Sequence, residues 1–373
     1  MAAGVRRLVT GSTAGGGLPA HAPTVAHLAS FPSLLAAFRR ARRAQRGRGG
    51  EPAFFVDLEE RLLDLREALL AGVWVPREYR RFRLWTGKER VVAQAAFVDR
   101  VVHHALVAEL APAFEPRFSP HSYACRPGLG VKAALERARG LAASAGFSLR
   151  LDVQRYFETV DHGVLMGLLG AGLARAGPVD AGLLDLCARV LDAAPSGTGG
   201  VAGVGLPIGN LTSQFWANVT LDPVDQAIEG GGCTTWSRYM DDMLALADTK
   251  GELWAWQRRV REVVEDELKL RLKPSATRVA PIGEGFPWLG FNVLPGRVRI
   301  RSAGKRRFAR KLQAATARAM AAAAAGDAEG ELREAARGSS LTGHLLLADT
   351  LALRRSLVSA ITTRVRARRD RGS

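Results

Sequence analysis

The spacing of apolar positions divides the chain into helical and extended stretches. Residues 27–45, "HLASFPSLLAAFRRARRAQ", read as one basic amphipathic helix, followed by the linker "RGRGGEP". "FFVDLEERLLDLREALLAG" repeats apolar residues at i, i+3 and i+4 and closes on Gly72, a helix with a C-terminal stop signal. "EYRRFRLW" alternates as a strand does, and "TGKE" turns it back into "RVVAQA". "FVDRVVHHALVAEL" is helical, with Asp99 expected at its N-cap.

The centre of the chain mixes the two periods. "FSLRLDVQRYF" (147–157) begins as a strand with Phe147, Leu149, Leu151 and Val153 on one face and Arg150 and Asp152 on the other. A helix over 162–170, capped by Asp161, and a Gly-rich loop over 195–206 follow. "NLTSQFWANVTLDPVDQAI" reads as a helix opened by Asn210 or Thr212. "TTWSRYMDDMLALAD" (234–248) reads as a tight hairpin with "MDD" at its tip. "ELWAWQRRVREVVEDELKL" is a helix and "FPWLGFNVLPGRVRI" a second hairpin. From about 303 onward the pattern is helical and basic, with weak breaks at "GDAEGE" and "RGSS". No repeat of 20–50 residues is visible. The pattern predicts an α+β centre flanked by helices.

Composition narrows the picture. The 373 residues are 47% hydrophobic and 24% charged, enough for a large core and two or three subdomains. No run of about 18 uncharged apolar residues occurs, so no membrane span is expected. The opening "MAAGVRRLVTGSTAGGG" lacks an apolar h-region, which argues against a secretory signal. Residues 1–25 are Gly/Ala-rich and expected to be mobile. Cys125, Cys187 and Cys233 are isolated, which supports neither a zinc site nor a disulfide framework and fits a reducing, cytoplasmic setting. The net charge of +17 makes a polyanion the leading partner. His103 and His104 look metal-like, but adjacent helical residues do not share a face, so both read as structural.

The chemistry centres on Asp241 and Asp242. Adjacent carboxylates repel and are costly to bury unpaired. Nucleotidyl transfer uses two cations about 4 Å apart. Mg²⁺ needs few protein ligands, mostly carboxylates. Asp152 would join the pair at one sheet edge if its strand neighbours the hairpin. Taken alone, "DD" is weak, because Asp is common in turns for local hydrogen-bonding reasons.

The surrounding motifs carry more. "RYMDDML" resembles the YxDD motif of reverse transcriptases, and "LRLDVQRYFETVDH" resembles their first palm motif. "GLPIGNLTSQFWANVTLDPVDQ" resembles the motif between those two. "LKLRLKPSATRV" and "FPWLGF" resemble the next two, while "KERVVAQAAFVDRVVHHAL" and "SYACRPGLGVKAAL" resemble the fingers motifs. Seven motifs in order, from about 55 to 295, identify a reverse transcriptase. "LPIGNLTSQ" and the tail "SSLTGHLLLADTLALRRSL" bring it nearest to enzymes of diversity-generating retroelements. Retron and defence-associated reverse transcriptases stay open as alternatives, as does a nucleic-acid-binding scaffold that has lost catalysis.

The resemblance implies a right-hand polymerase: a basic N-terminal segment over 1–49, fingers over 50–145, palm over 146–295 and a helical thumb over 296–373. It implies RNA-templated addition of deoxynucleotides to a DNA or RNA primer. Two Mg²⁺ ions, or Mn²⁺, would be held by Asp152 and Asp241, with Asp242 less directly bound. Lys88 and Arg90 would meet the triphosphate, and Phe157 would exclude a 2′-hydroxyl by clashing with it. Gly209 would let the backbone approach the nucleotide, Gln214 would face the duplex, and Lys273 would donate a proton to pyrophosphate. Tyr239 would support the primer end, and Arg126 is a weaker candidate for template contact. Ile208 stands where many reverse transcriptases carry a Gln that hydrogen-bonds near the nascent pair. An aliphatic side chain leaves discrimination to shape, which implies errors at template adenines. A small basic helical accessory protein is the further partner implied. In the tail, Phe308, Leu312 and Ala315 share a helical face, with Arg306, Arg307, Arg310 and Lys311 elsewhere to grip phosphates.

Overall fold

The computed structural model describes residues 21–44, 57–85, 89–193 and 201–349. The N-terminal part contains two helices where the pattern indicated one, α1 (Val25–Leu28) and α2 (Phe31–Ala44). Thr24 caps α1 by accepting a hydrogen bond from the His27 amide. Helix α3 (Leu58–Leu70) ends as expected, with Gly72 at φ 68°. Strands β1 (Arg80–Trp85) and β2 (Glu89–Gln94) pair antiparallel, with Arg80 opposite Gln94.

Helix α4 (Phe97–Phe114) is the platform for this region. Phe38 of α2 meets Phe97 edge-on at 5.9 Å, and Leu28, Leu34, Val101, Leu106 and Leu110 are fully buried together. Asp99 is not the cap. It lies in the first turn, buried, where it accepts a hydrogen bond from the Arg77 amide at 2.9 Å. The hydrogen bond satisfies one oxygen of a carboxylate that burial removes from water. Helix α5 (Val131–Ala142), an element beyond those the apolar pattern predicts, buries Ala134, Leu135, Ala138 and Ala142.

The central sheet begins with β3 (Phe147–Leu151). A single turn, α6 (Tyr156–Thr159), leads to α7 (His162–Ala174), which Asp161 caps by accepting from the Val164 amide. Helix α8 (Ala181–Asp192) was not anticipated, although Asp180 caps it in the same way. Each cap contributes about 1 kcal/mol. Helix α9 (Leu211–Gly230) is followed by the hairpin of β4 (Trp236–Tyr239) and β5 (Asp242–Ala247). Helix α10 (Lys250–Arg261) continues as a π-helical segment over Glu262–Glu267, and β6 (Arg278–Pro281) completes the sheet.

The strand order is β4-β5-β3-β6, all antiparallel. Both faces are covered. Leu149, Leu151, Trp236, Met243 and Ala245 face the main core, while Leu244 and Leu246 join a second core with α5. This explains the uninterrupted apolar run of β5: a strand buried on both faces cannot alternate.

The second core is closed by β7 (Phe286–Trp288), β8 (Phe291–Leu294) and β9 (Arg297–Ile300). The expected hairpin is thus a three-stranded sheet, because "PG" turns the chain a second time. Helices α11 (Ser302–Ala324) and α12 (Ala328–Leu345) pack together across the break at "GDAEGE". The second expected break, at "RGSS", is absent: α12 runs through it, supported by its packing on α11. Ala315 is buried, Phe308 and Leu312 pack on the second core, and Arg306, Arg307, Arg310 and Lys311 are exposed, as the periodicity indicated.

Candidate active site

The sheet register brings the three carboxylates to one edge. Leu151 pairs with Met243, so Asp152, just beyond β3, emerges beside Asp242, the first residue of β5. Asp241 occupies the two-residue turn between Tyr239 and Asp242, where Met240 adopts a left-handed φ of 55°. Such a conformation persists only where the surroundings enforce it.

A buried ion pair provides that enforcement. Arg238 and Asp225 of α9 are both completely buried, and Arg238 Nε donates to Asp225 Oδ1 at 2.7 Å while a terminal nitrogen reaches Oδ2. The other terminal nitrogen donates to Asn218 Oδ1 and to the Met240 carbonyl, each at 3.2 Å. The turn carrying Asp241 is therefore fastened to α9 by a charge-assisted fork. The sequence reading missed this pair.

Asp152 is fixed from the other side. The segment 271–273 pairs with 152–154: the Lys273 amide donates to the Asp152 carbonyl at 2.8 Å, and the Gln154 amide to the Arg271 carbonyl at 2.8 Å. This sets Lys273 Nζ 3.4 Å from Asp152 Oδ2. Arg150, two residues before Asp152 on the same face, donates to Asp242 Oδ1 at 3.0 Å. Such diagonal neighbours are within reach of a long side chain.

Two cations do not settle three carboxylates. Burial, and after it the charge of the neighbouring Asp152, together push the Asp241 carboxyl up to about 7. Asp242 is also raised by burial, although Arg150 pulls the other way. Acids held above their ordinary range by desolvation and by one another form a site that gains from a cation. The donors are hard oxygens, which suit Mg²⁺.

The remaining candidates surround this edge. Phe157 is half-buried, with its ring against Tyr156 at 5.6 Å, and its carbonyl accepts from the Leu206 amide at 2.5 Å. Half-buried Ile208 accepts through its carbonyl from the Ala93 amide of β2 at 3.1 Å. Gly209 has φ 110°, and a Cβ there would lie 2.8 Å from Val92 Cγ1. Its first requirement is close passage of β2. Asn210, one of the two residues expected to open α9, stands at its N-cap position but makes no side-chain capping hydrogen bond. Its amide instead donates to the Ala93 carbonyl and accepts from the Ala95 amide, clamping β2 to the loop. Gln214 is half-buried in the first turn of α9, Arg90 is exposed on β2, and Lys88 lies outside the described residues. Arg126 is engaged internally: it pairs with Glu115 at 2.8 Å and donates to the Ser119 and Ser122 carbonyls. Tyr239 is half-buried beside the second core. His103 and His104 lie on α4, and burial lowers them to about 3 and about 4, which holds both neutral.

The sequence profile of reverse transcriptase (RNA-dependent DNA polymerase) matches residues 77–293, a span that includes the strands and turn bearing all three carboxylates. The chain belongs to the reverse transcriptase family. A reverse transcriptase domain has a palm-type polymerase fold, and the mixed helix-and-sheet architecture agrees with it. The chain is 27% identical to Protein YkfC of Escherichia coli (strain K12) over 277 residues, 63% of this chain and 71% of that protein. It is 25% identical over 134 residues to the Putative COX1/OXI3 intron 1 protein of Saccharomyces cerevisiae (strain ATCC 204508 / S288c). The intron 2 protein of the same yeast is 22% identical over 134 residues. These two matches cover 35% of this reverse transcriptase but only 16% and 15% of the yeast proteins.

Proposed function

We propose that this reverse transcriptase is an active RNA-directed DNA polymerase whose catalytic centre is Asp152, Asp241 and Asp242. The observation that carries the reading is the convergence of the three carboxylates at one sheet edge, with Asp241 raised to about 7. Asp152 and Asp241 would hold two Mg²⁺ ions, with Asp242 in support. Bound there, the ions supply charge neutralisation for the attacking primer hydroxyl and the departing pyrophosphate. Lys273, hydrogen-bonded through its backbone to Asp152, is within the same site to donate a proton to the leaving group. Arg150 orients Asp242, and Arg238 with Asp225 holds the turn in place. Lys88 and Arg90 would receive the triphosphate, Phe157 would reject the ribose 2′-hydroxyl, and Gln214 would face the duplex. Residues 50–145 would serve as fingers, 146–295 as palm and 296–373 as thumb. The exposed basic residues of α11 would grip template and primer.

The subtype rests on Ile208. An aliphatic, half-buried side chain offers no hydrogen bond at the nascent pair, which fits mutagenic copying of template adenines in a diversity-generating retroelement. The likeness to two yeast intron proteins favours a second reading, an enzyme that copies the RNA of its own intron. Sequencing of DNA copied from a defined RNA template tests the subtype. Errors concentrated opposite adenine and reduced by Ile208→Gln support it; accurate copying that Ile208→Gln leaves unchanged removes it.

A further inference from the structure

A second cluster of ligand-type atoms lies outside the carboxylate edge. His21 precedes α1, His27 is in α1, and Glu109 is in α4. His27 Nδ1 is 2.6 Å from Glu109 Oε2, His21 Nε2 is 3.3 Å from Oε1, and the two imidazole nitrogens are 3.0 Å apart. All three donors lie within 4.8 Å of one another.

Hydrogen bonds among these neutral rings and the carboxylate do not satisfy all three contacts. If His27 Nδ1 carries a proton toward Glu109, its lone pair is gone, and a proton on His21 Nε2 then confronts another N–H. If His21 donates to His27, then His27 Nδ1 turns a lone pair toward the carboxylate oxygen at 2.6 Å. One cation between the three atoms removes either conflict. Ligands of a tetrahedral zinc ion at about 2.0–2.1 Å stand about 3.3 Å apart, so a small outward shift of these atoms would admit one.

The surroundings also have the character of a ligand shell. The Glu109 side chain is only 3% exposed, and the Thr24 amide donates to its Oε1 at 2.9 Å, which orients the carboxylate. The imidazoles are 47% and 53% exposed, leaving a route for an ion and room for water. Two imidazole nitrogens with one carboxylate favour a borderline transition metal over Mg²⁺ or Ca²⁺.

We propose that His21, His27 and Glu109 bind one Zn²⁺ ion, with water in the fourth position. The ion fastens the segment before α1 onto α4. It does so through residues that the polymerase reaction does not use.

The test uses the full chain carrying Asp152→Asn and Asp241→Asn, which removes the competing carboxylate site. After chelation and gel filtration, zinc is titrated by calorimetry, and the loaded chain is studied by zinc K-edge X-ray absorption. One zinc per chain is expected with sub-micromolar affinity, and with two imidazoles in the scattering. His21→Ala, His27→Ala and Glu109→Gln each weaken uptake by about 100-fold or more. No saturable uptake, uptake that the three replacements leave unchanged, or scattering without imidazole overturns the proposal. If a replacement unfolds the chain by circular dichroism, the absorption spectrum of the intact cluster decides.

Discussion

Replacing Asp241 by asparagine separates the electrostatic role of this carboxylate from its role in folding. Its carboxyl rises from 3.8 to about 7 on folding, because burial and then Asp152 oppose its charge. At 1.36 kcal/mol per pH unit, that displacement bounds the cost of the charged form at about 4 kcal/mol. Partial exposure and the shared site with Asp152 reduce this to ~1–2 kcal/mol. The sign follows from proton binding. The native state holds the proton more tightly than the unfolded chain, so the cost is absent below about pH 4. It grows as pH rises toward 7 and is constant above that. Without metal at pH 8, Asp241→Asn should therefore be more stable than wild type by ~1–2 kcal/mol, with a flatter profile between about pH 4 and 7. Mg²⁺ should reverse the order. At one hundred times its dissociation constant it adds about 2.7 kcal/mol to wild type and far less to the variant. Urea unfolding in EDTA and in Mg²⁺ measures both effects. A variant that is less stable than wild type in EDTA, or that gains as much from Mg²⁺, refutes the reasoning.

Two more expectations follow from the same edge. Arg238→Ala leaves Asp225 charged and buried without its partner, and should cost ~3–5 kcal/mol in urea unfolding, while the double replacement Arg238→Met with Asp225→Leu should recover most of the loss. Primer extension should fall as pH drops below about 7, because Asp241 must be ionised to act, and the acidic limb should move to lower pH as Mg²⁺ is raised, since cation and proton compete; a limb that ignores Mg²⁺ assigns the titration to another group.

The parts legible in the sequence are those written in local patterns. Leu149, Leu151 and Val153 alternate into the core, and "MDD" marks a turn. Gly72 and Asp161 end and begin helices at the expected places. What escaped depends on partners far along the chain. Arg238 looked like one more base in a basic protein, and only packing of α9 beneath the hairpin buries it against Asp225. Asn210 opens α9 as expected, but its side chain bonds to the Ala93 carbonyl instead of capping, and Asp99 looked like a cap until Arg77 arrived beside it. Helix α8 shows a different failure. Asp180 and the apolar spacing of Leu183, Leu186, Cys187, Val190 and Leu191 were present but went unread. The His21, His27 and Glu109 cluster was beyond reach: the two histidines lie 82 and 88 residues before Glu109 and meet it only across the α1–α4 contact. The adjacent pair His103 and His104 drew notice instead.

The central claim is that Asp152, Asp241 and Asp242 form the catalytic centre of an RNA-directed DNA polymerase. Primer extension on a defined RNA template with deoxynucleotides and Mg²⁺ tests it most directly, comparing wild type with a folded Asp152→Asn chain. The account predicts templated extension by wild type, lost in EDTA, and a fall of at least about 10³-fold in the variant. Equal extension by the two proteins, or extension that persists without divalent metal, contradicts it.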